Sequence, residues 1–272
     1  MTSPAAGPEQ PGHQEGDGPP WSGRKLSGTA LDGDTGEADP GVLEALAARA
    51  AAPSVEQDEG LMRRVAAARW IVPLVAAPTS VEDDAGPNVE HGASPRAGHG
   101  AKRSADLAVV TLTAPDGRRA LPVFTSAAAL GAWDAAARPV PVSAVRAAQA
   151  ALAEGCEVVV IDVGSTGATE LRPSMVRALS EGREWRPAHL DPLVTQSVSR
   201  AVALEQSVVE HRLAEGAPTG SGTLRVVLGL APGLRQADIE ALTTRVAERL
   251  ASDRGFRACV DELTFALATS TP

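Results

Sequence analysis

The sequence predicts an α/β to α+β protein: an N-terminal mixed-sheet domain with interleaved helices, then a small two-layer α+β domain. Residues 105–134 follow the pattern strand, tight turn, strand, helix, with turn chemistry at 115–117. Residues 157–163 form the most apolar run of the chain, which is typical of a central strand covered on both faces. Beyond residue 222, one strand pattern precedes an amphipathic helix and two follow it, which predicts the second domain.

Two segments lack a periodic apolar pattern. Residues 1–36 are rich in Pro, Gly, Ser and acidic residues, so we expect a disordered N-terminal tail. Residues 78–104 predict a flexible polar insertion, and the spacing of His91 and His99 within it fits no metal site. The domains are therefore predicted at 37–190 and 193–270.

The first domain is predicted to begin with a helix after the cap Asp39 and to run through alternating helices and strands. Pro73 and Pro122 lack an N–H group, which predicts edge or bulged strands at both positions. A helix at 143–154 is expected to face inward through Val145, Ala148 and Leu152. The remaining predicted elements are helices at 56–68 and 173–180 and strands at 70–76, 107–113, 118–124, 139–142, 157–163 and 169–171.

The second domain is predicted to begin with one long helix over 193–214, followed by a Gly/Pro/Ser linker at 215–222. A strand at 224–230 precedes an amphipathic helix, in which Ile239, Leu242, Val246 and Leu250 share one face. Two more strands are expected at 256–260 and 263–268.

Composition excludes several classes of function. The formal net charge is −9 and only 3% of residues are aromatic, so nucleic acid is not an expected partner. The longest apolar run, 70–78, is too short to span a bilayer, and no secretory signal opens the sequence. We therefore expect a cytoplasmic protein that does not enter membranes, with Cys156 and Cys259 as buried thiols. Only two of 25 basic residues are lysine, which is typical of a high-G+C bacterial genome.

Several blocks in the first domain resemble the SseB family of bacterial proteins. They are Lys102 to Ala108, Thr111 to Ser126, Ala132-Trp-Asp, Ala137-Arg-Pro-Val-Pro-Val and His189-Leu-Asp-Pro192, in that order. The resemblance covers residues ~37–192 and implies the N-terminal domain of the family, which is named for enhanced serine sensitivity. No molecular activity is established for the family. The resemblance therefore implies no catalytic residues, cofactor or metal.

One motif suggests a ligand site. The strand Ile161-Asp-Val-Gly-Ser-Thr-Gly167 ends in Asp-x-Gly-x-Thr and looks like the first phosphate loop of the actin and sugar-kinase ATPases. Its candidate binding residues are Asp162, Gly164, Thr166 and Gly167. A plain turn between two strands is the favoured interpretation, because the second phosphate loop of that superfamily is missing and these are ordinary turn residues.

Two hypotheses for function follow. The first is a non-catalytic interaction or regulatory module with a protein partner. The second is a small-molecule or nucleotide-phosphate binder that uses the loop Asp162–Gly167. The sequence contains no G-x-S-x-G, paired C-x-x-C or H-E-x-x-H motif, and this favours the first.

Overall fold

The computed structural model describes residues 34–76, 107–114 and 117–269. The predictions for the tail before residue 34 and for the polar insertion, with its two histidines, lie outside these ranges. Residues 34–36 are described, and there Asp34 forms an ion pair with Arg69 (Nε–Oδ2 2.6 Å). The α+β class predicted from the sequence is confirmed, with helices packed on three sheets.

The first unit contains five helices and seven strands in the described ranges. The helices are α1 Pro40–Ala51, α2 Val55–Ala67, α3 Ala127–Trp133, α4 Ala144–Ala153 and α5 Pro173–Ser180. The strands are β1 Arg69–Ala76, β2 Leu107–Val109, β3 Leu112–Thr113, β4 Arg119–Val123, β5 Arg138–Ser143, β6 Val158–Ile161 and β7 Thr169–Leu171.

The helices of this unit begin at side-chain caps that the sequence marks. Asp39 accepts hydrogen bonds from the backbone N–H groups of Gly41 and Val42, and Ser54 accepts one from Gln57. Ser126 and Ser143 cap α3 and α4 in the same way. These local signals explain why the predicted starts of these helices agree closely with the structure.

The strands form two sheets where the sequence predicted one. The first is antiparallel with the order β2-β1-β5; the second is mixed, with the order β3-β4-β6-β7, and only β4 and β6 run parallel. The predicted strand 107–113 is divided between them, because β2 pairs with β1 and β3 pairs with β4. An isolated bridge between Ile71 and Phe124 joins the sheets.

β1 is the central strand of its sheet, but its pairing with β2 ends at Leu74 and Val109, so the edge predicted at Pro73 exists on one side only. The Pro73 carbonyl accepts a hydrogen bond from Val110 N (3.3 Å), just past the end of β2, and Pro139 stands opposite Pro73 on β5. Because proline has no N–H group, Pro73 cannot return the reciprocal hydrogen bond to Val110, and the pairing of β1 with β2 ends at this point. Pro122 lies beyond Ala120, where the pairing of β4 with β3 has ended, in agreement with the prediction.

The core of the first unit lies between the helices and the two sheets. On β6, Val159 and Ile161 are buried and Val160 is only partly buried. The buried face of α4 is made of alanines, and the predicted inward residue Leu152 is 38% exposed. Small side chains let α4 approach its neighbours closely. The alanines are Ala144, Ala147, Ala148 and Ala151.

The second unit differs from its prediction at its start. A short 3-10 turn, Ala188–Leu190, precedes α6 Pro192–Val202, and strand β8 Val208–Glu215 follows; the single helix predicted over 193–214 is therefore wrong. Residues 208–215 are rich in the helix formers Glu, Arg, Leu and Ala, but they pair with β9 Thr223–Leu230. Tertiary pairing outweighs local propensity here.

The strand predicted at 256–260 is also wrong. Helix α7 Gln236–Ser252 is followed by a short helix α8 Arg254–Cys259, whose start is capped by the Asp253 carboxylate through the N–H groups of Gly255 and Phe256. Phe256 and Cys259 are three residues apart and both are buried, which is helical spacing. Strand β10 Glu262–Thr269 then ends the unit, close to its predicted position.

The second unit is a two-layer structure. Its sheet has the order β10-β9-β8, with β9 parallel to β10 and antiparallel to β8. Alternate residues of β9 pack against α6, α7 and α8, which places the helices on one face of the sheet. The shared core contains Val194, Val198, Leu224, Val226, Leu228, Leu242, Val246, Leu250, Phe256 and Cys259.

A charged cluster fastens α6 to α7. Glu205, which is 8% exposed, accepts hydrogen bonds from Arg245 Nη2 (2.6 Å) and Arg249 Nη1 (2.7 Å). Arg249 also donates to the carbonyl of Ala201 in the last turn of α6 (3.0 Å). The hydrogen bond from Arg245 is the main cause that lowers the pKa of Glu205 below its ordinary value.

We expect Glu205→Gln to lower the free energy of unfolding by roughly 1–3 kcal/mol near neutral pH, because both arginines lose a charged acceptor. The lowered pKa means that this stabilisation is fully present above the ordinary glutamate value of about 4.3 and is lost as pH falls through the folded-state pKa. The difference in melting temperature between wild type and variant should therefore close on acidification.

Asp238→Asn is the matched control for this measurement. The pKa of Asp238 is also lowered, by Arg235, but both side chains of that pair are exposed and screened by solvent. The control should melt like the wild type at every pH. A difference for Glu205→Gln that stays constant from neutral to acid pH would contradict the assignment.

Candidate functional site

Asp162 lies at the carboxyl end of β6, beside the carboxyl end of the parallel strand β4. Its carboxylate accepts hydrogen bonds from the backbone N–H of Thr125 (2.8 Å) and from the Thr125 hydroxyl (2.7 Å). The backbone of Asp162 is left-handed, with φ 50°. Both carboxylate oxygens thus hold the segment after β4 against the segment after β6.

The rest of the predicted loop forms its own hydrogen bonds. Ser165 N donates to the Asp162 carbonyl (3.1 Å), and Gly167 N donates to Ser165 Oγ (3.2 Å). Gly164 has φ 84°, and a Cβ there would approach Trp133 Cδ1 to 3.2 Å, so glycine serves both the turn and the packing. Thr166 and Gly167 are exposed. The structure brings the four candidate residues into one turn. The backbone N–H groups of Ser165 and Gly167 donate to acceptors inside this loop, whereas in a phosphate loop such groups converge on the bound anion.

The two cysteines, and the arginines at 118 and 119, are accounted for by packing and by contacts within the fold. Cys156 and Cys259 are both free and buried, as the sequence predicted, and burial is the main cause that raises the pKa of each thiol. Arg118 pairs with Glu170 across exposed side chains, and Arg119 donates to Thr111 Oγ1 (3.2 Å). Neither feature supplies an activated nucleophile.

In residues 34–76, 107–114 and 117–269, no group of three or more His, Cys, Asp or Glu could hold a metal ion. None of the helices in those ranges combines the length and the apolar character that crossing a membrane requires.

An arginine joins the two units through ionic contacts that the sequence did not predict. Arg172, directly before α5, contacts Asp58 of α2 (Nη2–Oδ2 2.8 Å) and Asp261 of the second unit (Nε–Oδ2 3.2 Å). It also donates to the carbonyl of Gly220 in the β8–β9 loop (3.2 Å). Arg49 contacts the other oxygen of Asp58 (2.6 Å). We call Arg49, Asp58, Arg172 and Asp261 the junction network.

Asp261 also caps α5 from the other unit. Its carboxylate accepts from the Ser174 backbone N–H (2.7 Å) and from the Ser174 hydroxyl (2.8 Å), at a helix start that has no side-chain cap of its own. The Ser174 hydroxyl in turn accepts from Trp185 Nε1 (3.0 Å). Gly222, with φ 84°, leaves the space that the Arg172 side chain fills.

The cavity within this junction is too small for an organic ligand. Its volume is about 20 Å³, enough for about one water molecule. Trp185 lines this cavity and also lines a larger groove.

That groove, which we call the Trp185 groove, has a volume of about 320 Å³ and lies between α2 and the segment after α5. Its floor is apolar and buried, formed by Met62, Leu179 and Trp185. Besides Met62, three other residues of α2 at helical spacing form one wall: Glu59, Arg63 and Ala66. The lining residues are Glu59, Met62, Arg63, Ala66, Val145, Leu179, Gly182, Arg183, Glu184 and Trp185.

Sequence reasoning missed both the junction network and the Trp185 groove. Asp58 and Arg172 are 114 residues apart, and Asp261 is 89 residues from Arg172. Nothing local marks such partners, since an isolated Asp or Arg most often predicts a solvated residue.

We expect Asp162→Ala to lower the free energy of unfolding by roughly 2 kcal/mol or more, because two hydrogen bonds are lost and Ala must adopt a left-handed backbone. Asp162→Asn should cost less, because Asn tolerates that backbone and keeps an acceptor. Thermal melting of both variants gives the comparison.

We also expect neither Mg²⁺–ATP nor Mg²⁺–ADP to shift the melting of the wild type, and no ATP hydrolysis. A true site would stabilise the fold by about 2.7 kcal/mol at a hundred times its dissociation constant. A melting shift present in wild type and absent in both Asp162 variants would contradict the expectation and support a nucleotide site.

Arg172→Met tests the junction network. The variant keeps much of the side-chain volume but removes the cation that Asp58 and Asp261 share. Arg49 still pairs with Asp58 and Ser174 still donates to Asp261, so the loss should cost about 1.5–3 kcal/mol. Arg186→Met removes an exposed pair with Glu184 and should cost no more than about 1 kcal/mol. Guanidinium denaturation followed by circular dichroism measures both, and similar costs would show that the network contributes little.

Comparison with known protein families gives a match within the first unit. The family described as SseB protein N-terminal domain matches residues 42–178, about half of the chain, from α1 to α5. No curated protein and no solved structure matches the chain. The matched span contains Asp58, Arg172 and the loop at Asp162, and it ends before the second unit. The chain belongs to the SseB family.

Proposed function

We propose that this SseB-family chain is a non-catalytic cytoplasmic interaction or regulatory module, and that it binds a protein partner through the Trp185 groove. The partner segment would insert an apolar side chain onto the floor formed by Met62, Leu179 and Trp185. Pockets lined by apolar side chains and an aromatic ring are common anchor points in protein interfaces.

The observation that carries the proposal is the charge pattern around this groove. Glu59 and Arg63 lie on one wall, and Arg183 and Glu184 lie on the other, so the rim carries two acids and two bases. A rim without net charge offers no attraction to a polyanion such as nucleic acid. It suits a polypeptide segment in which an apolar residue is flanked by charged residues of both signs.

The hydrogen bonding of the acids at the two candidate sites supports a non-catalytic role. Asp58 and Asp261 are bonded to arginine, and Asp162 is bonded to Thr125. Within the described ranges, no buried side-chain nitrogen or oxygen lacks a hydrogen-bond partner. Catalytic sites usually hold acids and bases with open partners and perturbed pKa values.

The alternative is a small-molecule or nucleotide-phosphate binder that uses the loop Asp162–Gly167. The position of Asp162, at the carboxyl ends of two parallel strands, favours it, since α/β sheets often bind ligands there. The Thr125 hydrogen bonds argue against it.

The two free cysteines, both buried, are in keeping with a reducing compartment such as the cytoplasm.

Ala66→Arg tests the groove. Ala66 is exposed on α2, so an arginine there should fold normally while its side chain enters the groove. Affinity capture from native cell extract with mass spectrometry identifies proteins bound by the wild type. Binding of such a purified partner to Ala66→Arg should weaken by at least about tenfold.

Ala241→Arg is the matched control, because Ala241 is an exposed helical alanine on α7, in the other unit. It should bind the partner like the wild type. Equal binding by all three proteins would place the interaction elsewhere and overturn the groove assignment. Capture of no partner, together with a melting shift by a nucleotide that depends on Asp162, would favour the alternative.

A further inference from the structure

The edges of the three sheets in the described ranges are protected in different ways. β2 and β3 are three and two residues long. β7 has three residues with Glu170 at its centre, and β5 contains Pro139 and Pro141. β8 is longer, but it carries Glu210 and Arg212 and has an irregular register after Val208. Short length, proline, charge and bulges are the devices that prevent edge strands from pairing with other chains.

β10 has none of these devices over most of its length. It is eight residues long and pairs with β9 along one side only, as the edge of its sheet in the part of the chain that is described. Residues 263–269, LTFALAT, contain no charged residue, no proline and no glycine. An eight-residue edge of this composition exposes backbone N–H and C=O groups in a form ready for pairing.

The side chains of β10 leave the core incomplete at this edge. Leu263, Phe265 and Leu267 are in register with Leu224, Val226 and Leu228, so they lie on the helix-covered face of the sheet. Yet Leu267 is 50% exposed, which shows that the helices do not cover the outer end of this face. An apolar side chain from outside would complete the layer.

We propose that the edge of β10 pairs with β10 of a second copy of the chain, antiparallel and centred on Ala266. Around that centre, Phe265 of each copy stands opposite Leu267 of the other copy, on the helix-covered face. On the opposite face, Ala266 meets Ala266 and Thr264 meets Ala268. Such self-complementarity is what a twofold interface needs, and no like charges meet within it.

The result is one continuous six-stranded sheet with helices on the same face in both copies. A strand from an unrelated protein would form the same backbone hydrogen bonds. Only a second copy of this strand places Phe265 opposite Leu267 at two symmetric positions. The inference does not depend on the Trp185 groove, which lies in the first unit.

Sedimentation velocity of the full chain over a hundredfold range of concentration tests the dimer. The wild type should shift from monomer to dimer as concentration rises. Leu267→Lys should remain monomeric, because it removes the exposed apolar side chain and places a charge on the edge. Val209→Lys is the matched control: Val209 is 56% exposed on the opposite edge strand, and this variant should dimerise like the wild type.

Thermal melting and circular dichroism check that both lysine variants are folded. A wild type that is monomeric at every concentration would overturn the proposal. That result is also expected if another segment of the chain, or another protein, covers the edge of β10. A dimer that survives Leu267→Lys, or that Val209→Lys abolishes, would overturn it as well.

Disulfide cross-linking tests the register. In the proposed pairing, the two Ala266 Cα atoms lie about 4.5–5.5 Å apart, within the range of about 4.4–6.8 Å that a disulfide spans. Ala266→Cys should therefore form a covalent dimer on oxidation. Ala268→Cys should not, because the two copies of residue 268 would be about 13 Å apart along the strands. Equal cross-linking of the two variants, or preference for residue 268, would overturn the register.

Discussion

The contact of Arg172 with two carboxylates, one from each unit, holds the two units of this structure together. Asp58 comes from α2, Asp261 comes from the second unit, and each is nearly inaccessible to solvent. Arg49 also pairs with Asp58, and Ser174 also donates to Asp261, but Arg172 is the cation that the two acids share, so its position fixes the second unit against α2 and α5. Hydrophobic packing alone is not directional, and this ionic contact supplies the geometry that packing lacks.

That geometry also determines the shape of the proposed binding surface. The Trp185 indole N–H donates to Ser174, whose hydroxyl and backbone N–H both donate to Asp261. The guanidinium of Arg172 lies 5.6 Å from the centre of the Trp185 ring. One face of the ring is therefore held by the junction while the indole forms part of the groove floor. A change at the junction would reach the groove through a single side chain, which is a physical basis for coupling between the two units.

The sequence predicted most elements whose signals are local. Asp39, Ser126 and Ser143 mark helix starts by capping, and the apolar run 157–163 marks β6. It could not predict the junction network, because the partners are far apart in sequence and each residue is unremarkable alone. For the loop at Asp162, the sequence indicated the turn, but the role of Thr125 depends on the parallel pairing of β4 with β6, which no local pattern encodes.

The error at β8 has a cause that bears on the sheet itself. Residues 208–215 resemble a helix because five of the eight are strong helix formers: Glu210, Arg212, Leu213, Ala214 and Glu215. On a strand at the edge of a sheet, those same charges oppose pairing with a second chain. β10, at the opposite edge, has a conventional strand composition and was predicted correctly. The features that make a strand easy to recognise are thus the features that leave it open to pairing, and in this sheet they occur on one edge only.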